Sequence, residues 1–111
     1  MGAADKPLVW LHGEIQTPPL SKDARVEAGF RLRFHQQGRL LSLPYSRPMP
    51  AIAKHIHELR ILDTRDTWRV VYRLDPDAIV ILEVFSKKTR AAPLSVIRTC
   101  RRRLAAYDAL S

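Results

Sequence analysis

Arginine is the side chain best suited to chemistry on a polyanion, and Arg60, in His57-Glu58-Leu59-Arg60-Ile61, and Arg69 and Arg73, in Trp68-Arg69-Val70-Val71-Tyr72-Arg73-Leu74, are arginines set in segments of alternating pattern. Both segments alternate as strands do, so Arg69, Val71 and Arg73 share one face and Trp68, Val70, Tyr72 and Leu74 the other. A guanidinium is planar, always ionised and binds phosphate through a fork of two hydrogen bonds, whereas an ammonium acts as a point charge. Lys87, Lys88 and Arg90 form a further basic run. The whole chain carries 19 Lys and Arg against 11 Asp and Glu, a formal charge of +8. A field of that sign attracts nucleic acid first and an acidic protein patch second. A solvated charge run on a merely basic domain is the bland account of the same residues.

Proton transfer near neutral pH is the province of histidine, and the chain has His12, His35, His55 and His57. None sits in a recognisable motif. His57 is three residues from Arg60, which puts the two on opposite faces of a strand, and His55 with His57 lacks a third ligand for a metal. Bases of a single strand stack on exposed rings. Trp68 and Tyr72 alternate with the arginines and read as core, as do Trp10 and Tyr107, which leaves Tyr45 in a proline-rich stretch as the stacking candidate. Cys100 is the one cysteine, so no intramolecular disulfide is possible and a reducing, cytoplasmic setting is expected. No leader and no apolar run of about 18 residues is read, so neither export nor a membrane is anticipated.

A length of 111 residues with 46% apolar and 27% charged content predicts one globular domain over 1–111. Residues 7–15 read as an opening strand ended by Thr17-Pro18-Pro19. Ser21 as N-cap, Asp23 in the first turn and Gly38 as a stop predict a helix over 22–37, with Val26, Phe30 and Phe34 as its core stripe. Pro44, Pro48 and Pro50 make 40–50 a loop. Helical and alternating spacing compete over 51–62, read as a short turn and then a strand. Strands at about 57–63, 67–74 and 78–86, with Asp75-Pro76-Asp77 as a turn, predict an antiparallel meander extended by residues 8–14. Pro93 opens a last helix whose inward face is Leu94, Ile97, Cys100, Leu104 and Tyr107, with Arg98, Arg102 and Arg103 outward. The class is α+β, a mostly antiparallel sheet packed against helices.

That order of elements resembles the RelE/ParE toxin superfamily. Glu58-Leu59-Arg60-Ile61 followed by Trp68-Arg69-Val70-Val71-Tyr72 resembles its paired strands, and Val84-Phe85-Ser86-Lys87-Lys88-Thr89 resembles the basic stretch of its phage-derived HigB-like branch. The resemblance covers nearly the whole chain and rests on order and spacing rather than on one motif. It implies a RelE-like fold and a toxin of a two-gene toxin–antitoxin module, paired with a helix-turn-helix antitoxin and cutting messenger RNA on the ribosome.

The chemistry so implied uses the RNA's own 2′-hydroxyl against the adjacent phosphorus and needs no cofactor; the protein orients the nucleotide and stabilises the phosphorane. By the resemblance Arg69, Arg60 and Lys87 are the catalytic candidates, and Lys88, Arg90, Arg73 and Tyr45 the nucleic-acid contacts. Leu94, Ser95 and Val96 stand where the RelE pattern has a tyrosine, so the resemblance supplies no general acid or base. The same fold also carries ParE-like inhibitors of DNA gyrase, and an inactive prophage-derived binding protein is a third reading.

Overall fold

The computed structural model describes residues 5–11, 20–64, 66–87 and 93–110, and of Lys87 the backbone alone. Its elements are β1 (Leu8–Trp10), α1 (Lys22–Gln36), β2 (Ser46–Pro48), β3 (Ile56–Leu62), β4 (Thr67–Leu74), β5 (Ile79–Lys87) and α2 (Leu94–Ala109). The sheet has the order β1-β5-β4-β3-β2. β1 runs parallel to β5 and the other pairings are antiparallel. The α+β class and the meander thus stand as expected; the proposed continuation of β1 to residue 14 lies outside the described residues, as do His12, Lys88 and Arg90.

Both ends of α1 follow from their side chains. The Ser21 hydroxyl accepts from the Ala24 N–H at 3.0 Å, and the Ser21 N–H donates to Asp63 Oδ2 at 2.9 Å. Hydrogen bonds to the Asp63 carboxylate from Ser21, and after it from Thr64, hold that carboxyl down to about 2. At the other end Gly38 takes φ +82, the left-handed region that glycine enters without strain. Ser21→Ala should lower unfolding stability by about 1 kcal/mol. An unchanged urea midpoint would show that the cap contributes nothing here.

The inward face of α1 is not the stripe the sequence suggests. Ala24, Ala28, Leu32 and His35 are buried, while Val26 is 59% and Phe30 57% exposed and Phe34 is half-buried. Two stripes of nearly the same spacing run along the helix. The one with two alanines faces inward because side chains that end at Cβ let the helix lie close to the sheet. A second correction concerns 40–50, where Ser46–Pro48 forms the edge strand β2 against β3. Proline lacks an N–H and is tolerated at an edge. On α2, Leu94 is exposed, and Arg103 turns inward to donate to the Leu82 carbonyl and to face Glu83 Oε2 at 3.5 Å.

The sheet buries both faces. Leu59, Ile61, Trp68, Val70, Tyr72, Ile79 and Ile81 pack under α1. Ile56, Val71, Val80 and Leu82 pack with Cys100 and Leu104 of α2. Burial pushes the Cys100 thiol up to about 12, so it packs as a small apolar group. Val71 pairs with Glu83 but Tyr72 with Ile81, so a bulge lies between β4 and β5 at Leu82. The extra residue places Phe85 opposite Arg69, on the face that α2 covers only in part. No described helix is long and apolar enough to cross a membrane.

Candidate functional site

The uncovered part of the α2 face holds a cluster of arginines. Register places Arg60 on β3 directly opposite Arg69 on β4, and Arg47 on β2 opposite Glu58 on β3. Like charges directly opposite one another destabilise a sheet. Glu58 offsets this: it is fully buried at 0% exposure, with Oε1 3.2 Å from Arg47 Nε and 3.4 Å from Arg69 Nη1. One buried carboxylate therefore faces two guanidiniums, with a third beside them, which leaves an excess of positive charge.

Arg69 is the most enclosed of the three, its side chain 14% exposed. Burial pushes its pKa down, Glu58 works against that, and Arg60 and Arg47 add to it. Its Nε has no hydrogen-bond partner among the described residues. A guanidinium desolvated, crowded by like charge and short of an acceptor is stabilised by a bound anion. The space for one is present: Leu43, Pro44, Tyr45, Ser46, Arg47, Glu58, Arg60 and Arg69 line a concavity of about 410 Å³. Tyr45 is 42% exposed at its lip, and the Tyr45 carbonyl accepts from the Arg60 N–H at 2.8 Å.

The amino-acid pattern of the phage-derived Gp49-like protein family matches residues 18–105. The chain belongs to that Gp49-like family. It is a RelE-like, toxin-like family. No curated protein matches the chain. In this Gp49-like domain the matched segment contains the whole arginine pocket and ends within α2.

Of the four candidate residues whose side chains are described, the Gp49-like fold brings three together, namely Arg60, Arg69 and Tyr45. Arg73 is elsewhere. Its fork is committed to Asp75 at 2.7 Å and Asp108 at 2.7 Å, which raises its pKa further and ties α2 to the sheet. The Lys87 backbone lies opposite Thr67, two positions along β4 from Arg69; its side chain, Lys88 and Arg90 are outside the described residues. The sequence reading missed Arg47 and Glu58. Arg47 was hidden among prolines, and Glu58 read as an ordinary polar position of an alternating strand.

His35 and His57 lie on the other face, at Tyr72. Tyr72 Oη lies 2.6 Å from Ser46 Oγ and 2.7 Å from His35 Nε2, all three buried. His57 stacks on the Tyr72 ring at 5.8 Å. Burial lowers His57, and His55 adds to that; it also pushes His35 down to about 4 and Tyr72 up to about 12. Among the described residues no three His, Cys, Asp or Glu side chains are grouped to hold a metal. Because the folded pKa of His35 lies below its ordinary 6.5, its stabilising effect is complete above about pH 6.5 and is lost as pH falls through about 4. His35→Gln should flatten that acid limb of the unfolding midpoint. Tyr72→Phe, which strands two buried partners, should cost about 1–3 kcal/mol. Identical acid limbs in wild type and His35→Gln would remove His35 as their cause.

Proposed function

We propose that the chain is a HigB-like toxin of a two-gene toxin–antitoxin module that cuts messenger RNA at the ribosome. The observation that supports this best is the pocket in which Arg47 and Arg69 face buried Glu58, with Arg60 beside them and an exposed tyrosine at the lip. A phosphodiester entering it meets forks already oriented. The RNA's 2′-oxygen attacks phosphorus and releases its proton, Arg69 and Arg60 stabilise the charge of the phosphorane, and the 5′-oxygen leaves and takes up a proton. The ends are a cyclic phosphate and a 5′-hydroxyl. Lys87 and, beyond it, Lys88 and Arg90 are proposed to add contacts to the backbone, Tyr45 to stack on a base, and Arg73 to act only through the general field. No cofactor enters the scheme.

The module supplies the partner. A helix-turn-helix antitoxin with an acidic segment would lie across the pocket and neutralise it, so its affinity should fall as salt rises. The chain would work in the cytoplasm, where ribosomes are. Incubating purified protein with translating ribosomes and mapping message ends tests the proposal, which predicts new 5′-hydroxyl ends. A second reading, a non-enzymatic ParE-like inhibitor of gyrase, has one observation in its favour: no histidine lines the pocket among the described residues. Intact message together with inhibited supercoiling would favour it.

A further inference from the structure

From Ala28 to His57 the chain contains no Asp or Glu, although it carries Arg31, Arg33, Arg39, Arg47 and Lys54. None of the eleven acidic residues falls in these thirty positions. The same stretch holds Phe30, Phe34 and Tyr45. The three rings and two of the arginines form one contact series. Arg31 lies 3.9 Å from the Tyr45 ring and 5.4 Å from that of Phe30; Phe30 meets Phe34 edge to face at 5.1 Å; Arg39 covers Phe34 at 4.3 Å. Tyr45 lines the arginine pocket, so the series begins at the pocket and climbs the C-terminal half of α1.

We infer that this series, Tyr45-Arg31-Phe30-Phe34-Arg39, is a track for single-stranded RNA leaving the arginine pocket, on which successive bases stack. This rests on the reading of the pocket as a phosphodiester site. Three considerations select RNA as the occupant. Exposed rings interleaved with cations are what a polyanion with stackable bases requires. The track is continuous with the pocket, the acidic Asp23 and Glu27 lie on the N-terminal half of α1, and Asp5 pairs with Arg33, which is not part of the series. A second copy of the chain is disfavoured, because each brings a charge of +8.

The test is anisotropy titration of the full chain with labelled unstructured RNAs of about four and about twelve nucleotides. The longer RNA should bind more tightly, on the order of tenfold per stacked base. Phe30→Ser with Phe34→Ser should abolish that advantage and leave the short RNA's affinity unchanged. Both positions are solvent-facing or half-buried, and a thermal melt checks that the variant folds. Phe30→Trp should keep the advantage, and its added fluorescence should be quenched by the long RNA and not by the short. A length advantage that survives the double change, or a Phe30→Trp signal indifferent to the long RNA, would overturn the track. The pocket reading fails separately, if Arg69→Ala leaves the short RNA's affinity unchanged.

Discussion

Arg69→Ala should slow message cleavage by a factor on the order of 100 or more, the scale of losing one preorganised electrostatic donor. The expectation follows from its position. Arg69 is the least exposed guanidinium of the pocket, is oriented by Glu58, and has an Nε without a partner among the described residues. Each of these makes it more available to a phosphorane than to water. Arg69→Lys keeps the charge and loses the fork, so it should restore only part of the rate. Arg102, exposed on α2, gives a matched control for lost charge. Undiminished cleavage, or undiminished toxicity in cells, from a well-folded Arg69→Ala protein would remove it from the mechanism.

How much of this was legible in the sequence depends on the element. The meander was, because β3, β4 and β5 alternate cleanly and Asp75-Pro76-Asp77 separates the last two. So was the extent of α1, since Ser21 and Gly38 mark its ends with side-chain and backbone chemistry. Its orientation was not. Periodicity ranks faces by apolarity, and Val26, Phe30 and Phe34 outrank Ala24, Ala28 and Leu32 on that measure. The sheet instead selects the face that can approach closely. The misread stripe thus turns outward, where the exposed Val26 and Phe30 and the half-buried Phe34 are more informative about binding than about folding.

The pocket was half legible for a related reason. Alternation correctly placed Arg69 opposite the Trp68 and Tyr72 face, and His57 opposite Arg60. The resemblance of these segments to paired strands set Arg60 beside Arg69, and the register, fixed by the length of the turn between β3 and β4, makes them direct partners as expected. Arg47 was invisible, since three prolines argue against a strand and only an edge position reconciles Pro48 with pairing. With β2 in place, the buried Glu58 acquires its second arginine. A fully buried glutamate is rare without a partner, so charge on both neighbouring strands is the signal that would have found it.

That dependence makes Glu58 the position with the largest expected effect on stability. Glu58→Gln preserves shape and removes the charge that holds Arg47 and Arg69, leaving three guanidiniums facing one another in a half-enclosed site. Breaking a buried pair from one side costs about 3–5 kcal/mol. Here about 2–4 kcal/mol is expected, because Arg47 remains well solvated. Removing both partners should behave differently: Glu58→Leu with Arg69→Met takes away the stranded charge along with its counter-ion, and should recover most of the loss in a denaturant melt. Cleavage should fall in both, in the first because Arg69 is no longer held and in the second because it is gone. Added phosphate should stabilise Glu58→Gln more than wild type, since an anion in the concavity replaces the missing carboxylate. If the single change is as stable as wild type, or the double change no better than the single, then Glu58 is not what holds the arginines together.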